Sequence, residues 1–161
     1  MKAVANKGFT LIELVVVITI IGILAAVAAP KFIGVQSDAR TSVLRGVEAS
    51  MRSAASLIYA KALIQGQETA DTGADNIDTT GDGTADLTGA FGYPALEEIE
   101  GLLDIQGSGN NTPITGVLTD GVVGYDRNAD GDPSNDSCQA AYAESTGVGV
   151  APTVTVTSSG C

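Results

Sequence analysis

Histidine and tryptophan are both missing from the 161 residues of this sequence. The lack of histidine removes the commonest general base and the commonest metal ligand of proteins. Only two cysteines are present, Cys138 and Cys161, which is too few for a zinc site without histidine. The sequence contains no serine–histidine pair and no phosphate-binding P-loop, so we predict that the protein is not an enzyme.

Basic residues are almost missing from the C-terminal part of the chain. Residues 66–161 contain sixteen acidic residues and a single basic residue, Arg127, whereas residues 1–65 contain seven basic and three acidic residues. This division suggests separate roles for the two parts of the chain. Nucleic-acid binding needs clustered lysines and arginines, and the acidic C-terminal part argues against that function.

One long apolar stretch, residues 9–29, stands near the start of the chain, and Glu13 is its only charged residue. A helix of this length spans roughly 32 Å, which is close to the hydrocarbon thickness of a bilayer. A carboxylate inside such a segment costs at least ~2.5 kcal/mol and usually marks a function. One interpretation is a secretory signal peptide that is cut within residues 25–29. The abrupt end of the basic region at Lys7-Gly8 and the helical pattern beyond Pro30 oppose that interpretation.

The residues Lys7-Gly8-Phe9-Thr10-Leu11-Ile12-Glu13, followed by an apolar helix, resemble the class III signal of type IV prepilins and pseudopilins. This resemblance implies that a membrane peptidase cuts between Gly8 and Phe9, removes a leader of residues 1–8, and that Phe9 is then N-methylated. Three later segments, at residues 29–32, 36–40 and 56–62, resemble the mannose-sensitive haemagglutinin (MSHA) branch of major pilins.

The resemblance also implies roles for three residues of the apolar segment. The Glu13 carboxylate would neutralise the amine of Phe9 in a neighbouring subunit, which would supply a partner for the buried charge and set the register between subunits. The alternative is that Glu13 only favours its own helix N-terminus through the helix dipole. Gly22 and Pro30 disfavour helix. In the filament, residues 22–30 would lose helical structure, whereas the membrane-held subunit would keep a kinked but intact helix.

We divide the chain into a leader at residues 1–8, an apolar helix at 9–34, an amphipathic helix at 35–65 and an acidic head at 66–161. The apolar positions of the second helical part recur mostly at intervals of four, which predicts one buried face. They are Val35, Ala39, Val43, Val47, Met51, Ala54, Ile58 and Ala62. Gly66 is the predicted C-cap of the helix.

In the head, residues 66–113 are rich in glycine, threonine and aspartate and are predicted to be surface loops, except for a short helix at 94–103 that Pro94 begins. Strands are predicted at residues 114–118, 122–125, 138–143 and 153–157. We therefore predict an α+β fold, in which a long bent N-terminal helix carries a globular head of antiparallel β-sheet on its second half. The resemblance implies the same type IV pilin fold.

Two stretches of the head are similar to calcium-binding loops, because alternating oxygen side chains with a glycine allow a chain to wrap a hard cation. The candidate ligands are Asp126, Asn128, Asp130 and Asp132 in one stretch and Asp78, Asp82 and Asp86 in the other. Neither stretch has the glutamate that closes an EF-hand, since Ser137 and Gly89 stand there. The alternative is a hydrated acidic turn. Calcium is thus a possible cofactor, and no cofactor is certain.

Cys138 and Cys161 are predicted to form a disulfide, because two cysteines in an exported domain favour one bond. The resemblance adds that pilins carry a C-terminal loop bounded by a disulfide. Such a bond would stabilise the head by about 3 kcal/mol.

Taken together, these observations predict the major subunit of a type IV, MSHA-like surface filament used for attachment or motility. The partners that the resemblance implies are further copies of the chain, a prepilin peptidase and N-methyltransferase, and an inner-membrane assembly platform. The protein would lie in the inner membrane before assembly and in an extracellular filament afterwards. Two alternatives remain open: a pseudopilin of type II secretion, and a monomeric membrane-anchored enzyme or binding domain.

Overall fold

The computed structural model describes residues 9–71, 75–103, 115–118, 121–128, 130 and 132–161. Helix α1, Leu11–Gln65, begins the described chain, and short strands follow it. Residues 1–38 and 39–161 form separate compact units, and α1 contributes to both of them.

The C-terminus of α1 is closed at Gly66, as predicted. Gly66 has a positive φ of 71°, a conformation that glycine adopts without steric cost. Its backbone N–H donates to Leu63 O at 3.4 Å, and the N–H of Gln67 donates to Ala62 O at 2.9 Å. These two bonds are those of a Schellman motif, which satisfies carbonyl groups that the last helical turn leaves without partners.

The strands form two antiparallel groups. The first group has the order β1-β2-β3 and the second has the order β4-β5-β6-β7. The strands are β1 (Asp75–Ile77), β2 (Leu87–Ala90), β3 (Tyr93–Pro94), β4 (Thr115–Leu118), β5 (Val122–Gly124), β6 (Gln139–Ala143) and β7 (Thr153–Thr157). The four predicted strands are therefore confirmed, and they form one antiparallel sheet.

The core of the second unit lies between α1 and the four-stranded sheet. Val123 pairs with Ala140, and Ala140 pairs with Val156. This row faces α1, where Val47 and Met51 belong to the same buried cluster. The predicted α+β fold, with the sheet packed on the second half of the helix, is thus confirmed.

The buried face of α1 differs from the predicted one at its beginning. The buried apolar residues are Leu44, Val47, Met51, Ala55, Ile58 and Ala62. Val35 and Val43 are instead 61% and 42% exposed. An α-helix turns once in 3.6 residues, so repeated steps of four drift by about 40° each. The observed steps of 3, 4, 4, 3 and 4 stay on one face.

The helix predicted at residues 94–103 is wrong. Pro94 belongs to β3, and residues 96–100 form turns. Two contacts with the sheet hold this segment: the Tyr142 hydroxyl donates to Pro94 O at 2.8 Å, and the N–H of Leu96 donates to Glu144 Oε2 at 2.9 Å. These tertiary contacts outweigh the weak local preference for helix.

Residues 66–113 also contain more structure than the predicted surface loop. The strands β1, β2 and β3 lie there, and Ile77 and Leu87 are buried against Ile58 and Ala62 of α1. The Asn76 side chain bonds to both backbone groups of Gly89, accepting from its N–H at 2.9 Å and donating to its carbonyl at 3.3 Å. A side chain thus takes the place of strand backbone where the register between β1 and β2 shifts.

Candidate functional site

The start of α1 is held by hydrogen bonds between Thr10 and Glu13. Glu13 Oε2 accepts from the Thr10 backbone N–H at 2.9 Å and from the Thr10 hydroxyl at 2.7 Å. In return, the Glu13 backbone N–H donates to Thr10 Oγ1 at 3.4 Å. This arrangement is a capping box, which satisfies amides that the first helical turn leaves without partners. The sequence interpretation missed it, although its T-x-x-E signal stands at positions 10–13.

The capping box leaves half of the Glu13 carboxylate for another partner. Both side-chain bonds go to Oε2, and no described residue donates to Oε1. A carboxylate has about four acceptor positions. Glu13 is therefore able to cap its own helix and to accept a hydrogen bond from an external cation at the same time.

The surface that surrounds Glu13 is apolar and exposed. Between Phe9 and Val27, thirteen large apolar side chains are 44–83% exposed. Full burial of one such side chain is more favourable than its exposure to water by about 1.5–3 kcal/mol. This segment therefore requires a lipid or protein environment. Within the described residues, α1 is the one helix that is long and apolar enough to cross a membrane.

Gly22 and Pro30 both lie inside α1, which is not interrupted at either residue. A Cβ atom at Gly22 would meet no atom within 4 Å, so this glycine is not required by packing within the subunit. The single subunit thus has an intact helix through residues 22–30. The change to an extended segment in the filament stays a prediction.

The residues of the predicted cleavage site lie at the edge of the described chain. Gly8 lies outside the described residues. Phe9 is described, is 83% exposed and precedes the first residue of α1. Cleavage between Gly8 and Phe9, with methylation of Phe9, stays a prediction at this stage.

The predicted disulfide between Cys138 and Cys161 is confirmed. Cys138 is fully buried and forms a small cluster with Leu44 of α1 and Tyr125. The Arg40 guanidinium lies over the Tyr125 ring at 5.3 Å, and its Nη1 donates to the carbonyl of Cys161 at 3.4 Å. The disulfide therefore joins the C-terminal residues both to β6 and to the side of α1.

In the loop at residues 78–86, the aspartates accept hydrogen bonds from backbone amides of the same loop. At 2.6–2.8 Å, the pairs are Asp78 with Gly81 and Gly83, Asp82 with Thr84, and Asp86 with Thr79. The bond from Gly81 lowers the pKa of Asp78, and the bond from Thr79 lowers the pKa of Asp86. These carboxylates are thus held in place by hydrogen bonds from the loop itself.

The loop at residues 126–136 has the same construction. At 2.8–3.0 Å, the backbone bonds join Asp130 N to Asn128 Oδ1, Asp132 N to Asp130 Oδ1, and Ser134 N to Asp132 Oδ1. The side chains of Asn128 and Asn135 both donate to Asp130 Oδ2 at 2.8 Å. The bond from Asn135 is the main cause that lowers the pKa of Asp130.

The described part of the chain contains no group of three or more cysteine, aspartate or glutamate side chains arranged to hold one metal ion. The candidate ligands of the two loops instead bond to amides and amide side chains nearby. Asp126 also has an interaction partner. Calcium binding at either loop stays a prediction.

The described residues thus comprise an exposed apolar helical segment and an α+β head with one disulfide. The family profile described as the prokaryotic N-terminal methylation motif matches residues 4–29. This range contains the capping box and the whole apolar surface described above.

The similar proteins are all subunits of pili or fimbriae. The type IV narrow pilus major component PilA5 of Thermus thermophilus is 48% identical over 59 residues, which cover 37% of this chain and 47% of that protein. The type IV major alpha-pilin of Moraxella bovis is 41% identical over 83 residues, or 50% and 52% of the two chains. The type IV major fimbrial protein FimA of Dichelobacter nodosus is 35% identical over 109 residues, or 60% and 67%. This chain belongs to the type IV pilin family.

The match to several of these relatives is partial. The chain spans about half the length of the PilA5 and Moraxella bovis proteins that it matches. No solved structure matches this chain.

Proposed function

We propose that this protein is the major subunit of a type IV, MSHA-like surface filament that serves attachment or motility. The observation that carries the proposal is the exposed apolar segment at residues 9–27, which contains Glu13 as its one charged side chain. Such a surface is stable only when lipid or other apolar helices cover it. The relatives named as major pilins and fimbrial proteins support the choice of a filament.

Maturation begins in the inner membrane. A prepilin peptidase removes the leader at residues 1–8, and an N-methyltransferase activity modifies the new N-terminal Phe9. The methylation-motif profile at residues 4–29 supports this step. An assembly platform in the same membrane then adds the subunit to the base of a homopolymer, which grows to the cell surface.

Glu13 sets the register of the homopolymer. Its Oε1 is the acceptor that pairs with the Phe9 ammonium group of a neighbouring subunit, while Oε2 continues to cap the helix. A slip by one helical turn would leave an ammonium and a carboxylate without partners in an apolar core, which costs several kcal/mol. Glu13 therefore favours a single alignment among many that apolar packing alone would allow.

The region 22–30 changes conformation during assembly. Gly22 costs up to ~1 kcal/mol relative to alanine in a helix, and Pro30 removes a backbone hydrogen bond. This combination lowers the stability of the helix at residues 22–30. An extended segment there lengthens the subunit without any change in the head.

A pseudopilin of type II secretion is the alternative filament. The pilus and fimbrial names of the relatives favour the pilin. Long extracellular filaments on intact cells, lost when the gene is deleted, distinguish the pilin from a pseudopilin, which forms no such surface filaments.

Two variants of Glu13 separate its capping of α1 from its proposed ion pair with the neighbouring Phe9. Glu13→Gln keeps an acceptor for the capping box but removes the charge, because glutamine also serves at this position. Glu13→Ala removes both. We expect both variants to lose surface filaments, as counted by electron microscopy, while the membranes keep the parent amount of subunit. Normal filaments from Glu13→Gln would show that Glu13 only caps the helix, and normal filaments from both variants would refute the proposed role.

Mass spectrometry of sheared filaments tests the maturation step. The expected N-terminus is methylated Phe9. A subunit that keeps residues 1–8 in the filament would contradict the proposal.

A further inference from the structure

Four of the five basic residues in the second unit donate to a backbone carbonyl far along the chain. The pairs are Arg40 with Cys161, Arg52 with Val154, Lys61 with Thr79, and Arg127 with Gly160. These hydrogen bonds hold distant parts of the head together. Arg45 is the basic residue of this unit that makes no such bond within the described residues.

Two of the basic residues, Arg45 and Arg52, have exposed side chains on α1. They are seven residues apart, so they lie on one face of the helix about 10.5 Å from each other along its axis. Arg45 is exposed, and within the described ranges no residue bonds to its guanidinium group. The Arg52 side chain is 54% exposed, although it forms an ion pair with Glu48 at 3.0 Å.

Arg52 also borders an open groove of about 250 Å³. The groove lies between α1 and the residues before and within β7, and its lining is mostly small or apolar: Ala55, Ser56, Tyr93, Ala151, Pro152 and Val154. Arg52 Nη2 donates to Val154 O at 3.0 Å, so the guanidinium is fixed at the edge of the groove. An arginine whose guanidinium group is fixed beside a groove binds the carboxylate of a protruding acidic side chain better than a mobile lysine would.

The complementary surface is present on the same chain. Residues 66–161 have a net charge of −15, and the whole chain has a net charge of −11. Copies packed in a filament bring these acidic heads within about one Debye length of each other, where they repel. The Arg45–Arg52 face carries two arginines against one carboxylate, that of Glu48, so it offers net positive charge to a neighbouring acidic surface.

We infer that the Arg45–Arg52 face of α1 is a docking surface for the acidic head of a second copy of this chain. This inference rests on the proposed filament. The contact is heterologous, since one copy supplies the arginines and the other supplies carboxylates. Contacts of that kind generate open helical filaments when the rotation does not close. A polyanion such as nucleic acid fits less well, because two arginines beside sixteen acidic residues do not form an extended basic patch.

The experiment compares three double variants of the full chain on cells. Arg45→Gln/Arg52→Gln removes two positive charges, and Arg45→Glu/Arg52→Glu reverses them. The matched control is Ser53→Glu/Ala60→Glu, which lowers the net charge by as much as the glutamine variant. Its two positions are also exposed and seven residues apart, but they lie about 60–100° further around α1.

We expect the glutamine variant to yield about tenfold fewer filaments, the glutamate variant to yield none, and the control to stay within about twofold of the parent. The amount of oxidised, disulfide-linked subunit in the membrane should equal that of the parent in every case, which excludes a folding defect. At 50 mM salt, a smaller fraction of sheared filaments should sediment for the glutamine variant than for the parent. At 1 M salt this difference should be smaller, because salt screens exposed charges.

Four results would overturn the inference. Parent-like filament numbers from the glutamate variant would show that the face is not an interface, while leaving the proposed filament intact. An equal loss of filaments in the Ser53→Glu/Ala60→Glu control would show that the net charge of the chain, and not the position of the arginines, causes the loss. A third result is that tagged glutamine-variant subunits enter parent filaments normally, although the variant expressed alone yields few filaments. This result would show that the arginines contact the assembly platform and not a second copy of the chain. Absence of filaments from the parent would refute both the proposed function and this inference.

Discussion

Replacement of Gly22 by alanine tests whether α1 changes conformation during assembly. Gly22 lies within α1, and its backbone is not in the left-handed region. Since an added Cβ would meet no atom within 4 Å, alanine fits the subunit without strain. The substitution therefore changes the stability of the helix and little else in the isolated subunit.

The magnitude follows from helix propensity. Alanine favours a helix over glycine by about 1 kcal/mol, which is roughly a fivefold change in a local helix-to-extended equilibrium at 25 °C. If residues 22–30 must leave the helix before the subunit joins the filament, the population that is able to join falls by the same factor. The filament yield at limiting subunit concentration should fall roughly fivefold.

The assay needs two measurements and a matched variant. Hydrogen exchange of detergent-solubilised subunits should show slower exchange around residue 22 in Gly22→Ala. Filament growth should then be slower in that variant on cells. Gly34→Ala is the control, because Gly34 lies in the same helix, also has no atom within 4 Å of an added Cβ, and stands outside residues 22–30.

Slower hydrogen exchange in Gly22→Ala with unchanged filament growth would show that residues 22–30 do not leave the helix on assembly. A stabilised helix that assembles at the parent rate does not need to unfold. Equal slowing in Gly34→Ala would also contradict the account, since it would place the change elsewhere along α1.

The remaining predictions concern the head. Tyr142→Phe should lower the unfolding free energy by about 1–3 kcal/mol in chemical denaturation, because it leaves the buried Pro94 carbonyl without its donor. Calcium should slow proteolysis at residues 126–132 in the parent and not in Asp130→Ala; equal rates with and without calcium in the parent would refute calcium binding there. Hydrogen bonds from backbone amides lower the pKa of Asp78 and of Asp86 below the ordinary value of 3.8. The stability that these two carboxylates contribute to the fold is therefore present above that pH and is lost as the pH falls through the lowered pKa values. Thermal midpoints measured from pH 6 to pH 2 should fall in that window, and Asp78→Asn should reduce the fall.

The sequence predicted the elements that have a strong periodic pattern. The helical parts predicted at 9–34 and 35–65 form the single helix Leu11–Gln65, and the four predicted sheet strands agree with the structure to within one residue at every end. The Gly66 cap was also predictable, because glycine just after a helical pattern has a specific physical cause. The disulfide followed from two cysteines and a family resemblance.

The errors have a common physical origin in tertiary contacts. The strands β1 to β3 are two to four residues long and too short for an alternating pattern to identify. They exist because Ile77 and Leu87 pack against α1. The segment at 94–103 has helix signals at its start, but its backbone is held by Tyr142 and Glu144 of distant sequence. No local signal contains those partners.

The sequence drew attention to Glu13, but it did not lead us to the hydrogen bonds that this residue makes. Glu13 was singled out as a costly charge, yet its capping bond with Thr10 was overlooked. The T-x-x-E signal alone would have found it. The position of Arg52 beside a groove was not predictable, since the groove is formed by β3 and β7 together with α1.

A reconstruction of the native filament at side-chain resolution would show directly whether Glu13 pairs with a neighbouring subunit. We predict that the Glu13 carboxylate of each subunit lies within hydrogen-bond distance, about 3 Å, of the Phe9 nitrogen of a neighbouring subunit, inside an apolar core. A filament in which Glu13 faces solvent, or in which a neighbour's Phe9 nitrogen lies far from every carboxylate, would contradict it.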